Sequence, residues 1–156
     1  MIIPNSYPVR QLRKNEPIPF DLLLLADEEM QAINRYIDRS EIYVVETDLK
    51  IIGVYAFFPI DEHTAEIKAI AVDVDYQNRG IGKHMLEDAA NRAREKGFRE
   101  LLIGTPTIAG KQLDIYQKAG FRLFDIKANF FLTHYSKPIF ENGVQLRDMA
   151  MLKKML

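Results

Sequence analysis

The chain has no cysteine among its 156 residues. This absence excludes disulfide bonds, thiolate metal sites and a cysteine nucleophile, and it fits a protein of the reducing cytoplasm. Long apolar runs are missing too, since the cluster Leu22–Ala26 is far too short to span a bilayer. Residues 1–17 lack the apolar core of a signal peptide and carry prolines and charges. We therefore expect a cytoplasmic protein with no membrane partner.

An excess of charge of either sign is also absent. Lys and Arg number 21 against 22 Asp and Glu, for a formal net charge of −1. A balanced chain has no electrostatic footprint for nucleic acid, so binding of an anion would require a local site. The three histidines, His63, His84 and His134, lie far apart without ligand spacing, and we expect no metal.

What the sequence does contain is an alternation of strand and helix patterns in a length that fits one domain, residues 1–156. The patterns predict strands at 8–14, 41–47, 51–59, 65–74, 98–104, 121–127 and within 144–152. They also predict one or two helices within 20–37 and single helices at about 80–96 and at 110–119. An antiparallel opening followed by strand–helix–strand–helix–strand predicts a mixed α/β fold, not an all-parallel doubly wound sheet.

The strand at 65–74 is apolar on both faces. Alternation places Ile67, Ala69 and Ala71 on one face, and Ile70, Val72 and Val74 on the other. We therefore expect this strand to be central in the sheet and covered on both sides.

The turn between this strand and the next helix, Gln77–Gly82, has the features of an anion site. The first N–H groups of a helix have no intrahelical partner and lie at the positive end of its dipole. Gly80 and Gly82 allow close approach, while Arg79 and Lys83 add positive charge. P-loop and dinucleotide patterns both fail at required positions. Taken alone, the glycines are equally compatible with a tight turn that binds nothing.

Two motifs together resemble a known family. The run Ala65–Leu86, AEIKAIAVDVDYQNRGIGKHML, resembles the acetyl-CoA-binding motif of the GNAT (GCN5-related) N-acetyltransferases, with Gln77, Gly80 and Gly82 at its defining positions. The run Leu113–Phe121, LDIYQKAGF, resembles the Tyr-x-Lys-x-Gly-Phe segment of the same family. The C-terminal HYSKPIFENGVQLRDM is similar to a little-characterised bacterial branch of it.

The resemblance implies a fold and a cosubstrate. It implies a central mixed, mostly antiparallel sheet flanked by helices, with central strands splayed at a bulge to admit acetyl-CoA, and no metal. Backbone groups near Ala71, Val72 and Val74 would pair with the pantetheine arm. The N–H groups that would hold the pyrophosphate belong to Gln77, Asn78, Arg79, Gly80, Ile81, Gly82 and Lys83.

The resemblance also implies direct attack of an amine on the thioester. Tyr116 matches the tyrosine that serves as general acid, although Leu113, Tyr116 and Ala119 share a helical face and could be core. Glu66 matches a strand position used as a base, often through water, although a lone Glu near the start of a strand is more often simply solvated. Many relatives carry an Asn near the position of Ala109, so the contact made there is in doubt unless Thr105, Thr107 or a backbone group replaces it.

The acceptor amine, a small molecule or a peptide, is not identified by the sequence. The least patterned regions, 17–38 and 128–143, are the candidates for recognising it. The second region is rich in aromatic residues with His134 and Glu141 nearby, which would suit a cationic amine, a closed core or a homodimer interface alike. Two other functions stay open: a non-catalytic acyl-CoA-binding module of this fold, and a general phosphate- or nucleotide-binding protein.

Overall fold

The computed structural model describes residues 7–156. Residues 1–6, which belong to the predicted single domain and to the stretch inspected for a signal peptide, lie outside the described residues. Among the helices of residues 7–156, none is both long and apolar enough to cross a membrane.

Strands and helices alternate as the sequence predicts. The strands in the described part of the chain are β1 (Val9–Gln11), β2 (Glu41–Thr47), β3 (Lys50–Pro59), β4 (Thr64–Val72), β5 (Glu100–Pro106), β6 (Arg122–Lys127), β7 (Phe140–Glu141), β8 (Val144–Gln145) and β9 (Met149–Met155). The α-helices in the same residues are α1 (Phe20–Ala26), α2 (Met30–Asn34), α3 (Ile81–Glu95), α4 (Gly110–Lys118) and α5 (Phe130–Thr133). Short 3-10 turns occupy Ile37–Arg39 and Val74–Tyr76.

Seven of the strands form one sheet in the order β1-β2-β3-β4-β5-β9-β6, and β7 and β8 form a separate hairpin. Neighbours in the sheet are antiparallel except β4 and β5, which are parallel. The predicted mixed, mostly antiparallel sheet flanked by helices is therefore confirmed, and β4 is its central strand.

Helices cover both faces of this sheet. One apolar core joins α3 to one face, with Met85, Leu86 and Ala89 fully buried in it. A second core joins α1 and α2 to the opposite face through Leu23 and Ile33. The prediction that β4 is covered on both sides is confirmed, because its residues contribute to both cores.

The predicted faces of β4 are wrong at Ile67. Ile67 packs in the α3 core with Ile70 and Val72, whereas Ala69 and Ala71 pack in the α1–α2 core. The cause is a β-bulge: Ala56 and Phe57 of β3 pair with Ala69 and Ile67, which leaves Lys68 as an extra residue. One extra residue reverses the alternation of side chains along the strand.

The helix ends are those predicted. Gly97 and Gly120 take positive φ values of 88° and 98°, and each follows the C-cap residue of its helix, Lys96 for α3 and Ala119 for α4. Phe98 N–H donates to Ala93 O, and Phe121 N–H donates to Tyr116 O, both at 3.0 Å. These bonds satisfy the last carbonyl groups of each helix and turn the chain into the next strand.

The last strand, predicted within 144–152, begins inside that range at Met149 and continues beyond it to Met155. The backbone of Arg147 and Asp148 is engaged elsewhere: Phe131 N–H donates to Arg147 O at 3.0 Å, and Thr107 N–H donates to Asp148 O at 3.1 Å. A backbone carbonyl committed to a loop is not available to a sheet ladder. Residues 144–145 pair instead with β7.

Candidate active site

The central strands separate where the bulge interrupts β4. β4 and β5 pair only from Thr64–Ile67 with Glu100–Ile103, and Lys68, the bulged residue, comes next. β4 then continues to Val72 and β5 to Pro106 without pairing to each other. The gap is part of a cleft of about 490 Å³, lined by β4, α3, the turn between them and α4.

The edge of β4 that faces this gap has no strand paired with it beyond Ile67 in the described residues. Asp73 N–H donates to Ile52 O at 2.8 Å, so Asp73 is directed at β3. Hydrogen-bonding direction alternates along an antiparallel strand, which directs Ala71 at β3 and Ile70 and Val72 at the gap. Val72 O accepts a hydrogen bond from Gln77 Nε2 at 3.0 Å on that side.

Of the three residues predicted to contact pantetheine, only Val72 both lines the cleft and directs its backbone at the gap. Ala71 and Val72 both line the cleft, but the backbone groups of Ala71 are directed at β3. Ile70, which was not predicted, presents its backbone to the gap beside Val72. Val74 lies in the 3-10 turn, is exposed and does not line the cleft.

The predicted anion turn opens into the same cleft. Asn78 and Gly80 take left-handed φ values of 62° and 82°, which reverse the chain so that α3 begins at Ile81. The first intrahelical bond runs from His84 N–H to Gly80 O at 3.0 Å. Helix geometry leaves the N–H groups of Ile81, Gly82 and Lys83 without an acceptor inside the helix.

Six of the seven predicted turn residues line the cleft: Gln77, Asn78, Gly80, Ile81, Gly82 and Lys83. Arg79 is the exception. Its guanidinium lies 4.9 Å from the centre of the Tyr76 ring and donates to Asp75 O at 3.3 Å. These contacts hold Arg79 against the loop instead of beside the free N–H groups.

Tyr116 reaches the cleft from α4. Its side chain is buried, with 8% exposed, and its ring packs against Phe121 with centroids 6.4 Å apart. Burial raises the pKa of Tyr116 to about 12. Among residues 7–156, no side-chain hydrogen bond engages its hydroxyl. A phenol that is protonated at neutral pH and lines the cleft has a proton to donate there.

Glu66 lies outside the cleft. It is 8% exposed on the α1–α2 face of the sheet, opposite Phe58, and its carboxylate is 3.3 Å from Lys68 Nζ. Glu66 and Tyr116 therefore do not line the same cleft. Proton transfer between an amine in the cleft and Glu66 would need an intervening water.

The position where many relatives carry Asn is the N-cap of α4. Ala109 offers no side-chain hydrogen bond there, and it does not line the cleft. Thr105, which is buried in β5, and Thr107 do not line the cleft. Backbone groups at the start of α4 are therefore the remaining candidates for the contact that Asn makes in many relatives.

One wall of the cleft was not predicted from the sequence. α4 supplies Lys111, Gln112, Ile115 and Lys118 in addition to Tyr116, and α1 supplies Leu25. Lys111 Nζ donates to Asn78 Oδ1 at 3.4 Å, which connects α4 to the anion turn. The spacing of Lys111, Ile115 and Lys118 marks one helical face, but only the fold shows that this face meets the turn.

No group of three or more His, Asp and Glu side chains within residues 7–156 is arranged to hold a metal ion. The positive end of α3 and the lysines of the cleft are the groups present that suit a phosphate. A narrow gap with a free strand edge, leading to a helix N-terminus, suits a ligand with an amide-bearing arm and a pyrophosphate.

Comparison with known proteins agrees with this geometry. The Acetyltransferase (GNAT) family matches residues 8–121. The uncharacterized N-acetyltransferase YvbK of Bacillus subtilis is 41% identical over 133 residues, covering 85% of this chain and 86% of YvbK.

Two solved structures share the fold over nearly the whole chain. A GNAT family acetyltransferase from Elizabethkingia anophelis with acetyl-CoA bound superposes with a TM-score of 0.94 at 41% identity, covering 97% of this chain and 99% of that one. A Bacillus subtilis acetyltransferase in complex with CoA superposes with a TM-score of 0.88 at 37% identity, covering 96% and 99%. The fold, the family and the enzyme class predicted from the sequence are confirmed: the chain belongs to the GNAT family of acetyltransferases.

Proposed function

We propose that the protein transfers the acetyl group of acetyl-CoA to a primary amine by direct attack. One observation carries the proposal: the free edge of β4, the anion turn before α3 and the hydroxyl-bearing ring of Tyr116 line the same cleft. Acetyl-CoA offers a matching partner for each, with its pantetheine amides, its pyrophosphate and its thioester. Two similar proteins have been solved with acetyl-CoA and with CoA bound, which supports acetyl-CoA as the cosubstrate.

In the proposed reaction, the pantetheine extends along Ile70 and Val72, and the pyrophosphate meets the N–H groups of Ile81–Lys83. The neutral amine nitrogen attacks the thioester carbonyl carbon. As the C–N bond forms, the C–S bond breaks and the departing sulfur takes the proton of Tyr116. The amine gives up its proton to a water molecule, which passes a proton on to the carboxylate of Glu66. Positioning the two reactants accounts for much of the rate enhancement in such a transfer.

The first test is calorimetric titration with acetyl-CoA, with ATP and NAD as controls. We expect micromolar binding of acetyl-CoA and none of the two nucleotides, because the cleft has a strand edge for pantetheine and lacks their sequence motifs. Release of free thiol with a panel of amines then tests transfer. Failure of acetyl-CoA to bind would contradict the proposal.

A non-catalytic acyl-CoA-binding module is the alternative. Two observations favour such a module: Ala109 gives α4 no side-chain cap, and Glu66 lies outside the cleft. The same pair of measurements separates the two functions, since the module binds acetyl-CoA yet releases no thiol with any amine. The single domain, the cytoplasmic location and a homodimer remain predictions.

Lys111 gives a prediction about how the phosphates are held. Its Nζ lies beside the anion turn, and no carboxylate within residues 7–156 forms an ion pair with it. Lys118 on the same helix is paired with Asp114 at 2.9 Å. We expect Lys111→Met to raise the Kd of acetyl-CoA about tenfold, because a charge-assisted contact is lost.

Lys118→Met is the matched control and should change this Kd less, since its charge is already neutralised. S-acetylpantetheine, which has no pyrophosphate, should show the same KM with Lys111→Met as with the unchanged protein. Equal weakening of both donors would mean that Lys111 shapes the cleft rather than binding phosphate.

A further inference from the structure

The outer edge of the sheet at β6 is apolar and uncovered. β6 is the last strand in the sheet order, so within residues 7–156 it pairs with β9 on one side and with no strand on the other. All six of its residues are exposed, and Leu123, Phe124 and Ile126 are large apolar residues that are 51%, 45% and 45% exposed. None of the three lines the cleft. An exposed edge strand is a template for pairing with another chain.

The hydrogen-bonding direction of β9 follows from its contact with β5. Thr107 N–H donates to Asp148 O at 3.1 Å, one step beyond the paired residues of β5 and β9. Direction alternates along an antiparallel strand, so Ala150 is also directed at β5. Met149 and Met151, on either side of Ala150, are therefore directed at β6.

The backbone of Ile126 is consequently directed at the open edge. Asp125 is paired with Met151 and Lys127 with Met149, so both are directed at β9. Ile126 lies between them and is directed the other way. Its N–H donates to the carboxylate of Asp125 at 2.9 Å, a contact within the strand that takes the place of a neighbouring strand.

The side chains of β6 divide between the two faces of the sheet. Cross-strand partners point to the same face, and Ile126 is paired with Ala150, which belongs to the α3 core. Asp125 and Lys127 are paired with the residues on either side of Ala150, so they share the opposite face. Both are exposed, and within residues 7–156 neither forms an ion pair. The edge thus presents two unpaired charges of opposite sign around an apolar residue.

This arrangement is complementary to itself. When two β6 strands pair antiparallel around a two-fold axis at Ile126, the two Ile126 residues are opposite each other, and Asp125 of each strand is opposite Lys127 of the other. The outward backbone makes Ile126 a hydrogen-bonded pair, in which each N–H is transferred from the Asp125 carboxylate to the other copy's carbonyl. The charged residues form non-hydrogen-bonded pairs, whose side chains lie closer together.

Neighbouring registers place like charges together. An axis at Asp125 places two carboxylates opposite each other. An axis between Phe124 and Asp125 places Arg122 opposite Lys127. Like charges directly opposite each other destabilise a sheet, so these registers are disfavoured.

One other register pairs opposite charges but does not match the faces. An axis between Leu123 and Phe124 sets these two residues opposite each other. Leu123 points to the α3 core, because its partner Leu152 belongs to that core. Lys153, the next residue along β9 and therefore on the other face, has its Nζ 5.0 Å from the centre of the Phe124 ring. The axis at Ile126 is thus the register within β6 that pairs opposite charges on matching faces.

We propose that β6 pairs with β6 of a second copy around Ile126, which forms a homodimer whose sheet is continuous through both molecules. Asp125 and Lys127 of the two copies fix the register, and the apolar side chains of both strands are removed from water. The interface lies apart from the cleft, so binding of acetyl-CoA does not depend on it.

Sedimentation velocity at low micromolar to submillimolar concentrations measures the mass in solution. We expect a species of twice the 18.1 kDa of one chain and no larger one, because a two-fold pairing uses the open β6 edge of both copies. A protein that stays monomeric throughout this range, or that forms larger assemblies, would overturn the inference.

Two charge reversals test the register. Asp125→Lys and Lys127→Asp each place like charges opposite each other, and each should raise the Kd of the dimer about a hundredfold or more. A mixture of the two variants restores opposite charges at both pairs, so we expect it to sediment as a dimer although each variant alone is monomeric. Glu87→Lys, at an exposed position of α3, is the matched control for Asp125→Lys and should leave the dimer intact.

The mixture separates loss of charge pairing from loss of the fold, because a variant that does not fold cannot be restored by the other. Persistence of the dimer in Lys127→Asp alone would overturn the register at Ile126. Failure of the mixture to associate would overturn the pairing of Asp125 with Lys127. Both variants should bind acetyl-CoA as the unchanged protein does, so the outcome for the dimer is independent of the outcome for acetyl transfer.

Discussion

Gly82→Glu is expected to abolish binding of acetyl-CoA while leaving the protein folded. A carboxylate at this position would occupy the space in front of the N–H groups of Ile81–Lys83, where the pyrophosphate is proposed to bind. Juxtaposed like charges cost several kcal/mol, so the Kd should rise by about a hundredfold or more. Titration with acetyl-CoA measures the change directly.

The fold itself should accept the substitution. A Cβ built at Gly82 would meet only the Val72 Cγ2 atom, at 4.0 Å, among residues 7–156. Its φ is not in the left-handed region that favours glycine, unlike that of Gly80. A glutamate in the first turn of a helix also interacts favourably with the helix dipole. We therefore expect an unchanged or slightly raised Tm.

Two variants at the same position separate charge from size. Gly82→Ala adds only the Cβ atom, and Gly82→Gln adds the bulk of glutamate without its charge. Binding should weaken in the order Ala, Gln, Glu, with the largest step between Gln and Glu. Retention of tight binding by Gly82→Glu would show that the pyrophosphate lies elsewhere, although the family would still stand.

Features fixed by neighbouring residues could be predicted from the sequence. Gly97 followed by Phe98 ends α3 because one residue without a Cβ and one apolar residue are enough to form the motif. The anion turn before α3 follows from the same kind of local pattern. The order of strands and helices also follows, because the period of apolar residues changes between them.

Features fixed by distant residues could not be predicted in the same way. The bulge at Lys68 depends on how β4 aligns with β3, and the alternation of β4 alone gave Ile67 the wrong face. The lysine at position 111 is separated from Asn78 by α3 and β5, so its contact with the turn emerges only in the fold. The position of Glu66 outside the cleft follows from the same strand pairing.

The bulge also explains why the site lies where it does. It coincides with the end of pairing between β4 and β5, so the strand edge is released next to the start of α3. An edge of unpaired N–H and C=O groups is normally a liability in a sheet, and a ligand that pairs with it satisfies those groups.

Tyr116→Phe should lower kcat by about a hundredfold and leave the Kd of acetyl-CoA nearly unchanged, since general acid catalysis contributes roughly that factor or more. The variant loses only a hydroxyl that has no side-chain hydrogen bond in residues 7–156, and the ring that packs against Phe121 is retained. Its Tm should therefore equal that of the unchanged protein. Single-turnover thiol release with a saturating amine measures the chemical step.

The pH dependence of kcat provides an independent check on this role. With its pKa raised to about 12 by burial, Tyr116 is protonated throughout the neutral range, so the acid form is not lost until pH approaches that value. We expect no decline in kcat that is attributable to the acid between about pH 7 and 10, where an unperturbed tyrosine would begin to ionise. A fall in kcat near pH 8 that persists in Tyr116→Phe would identify a different group as the acid. Unchanged kcat in Tyr116→Phe would assign the residue to the core, because its burial and packing then suffice to explain its presence.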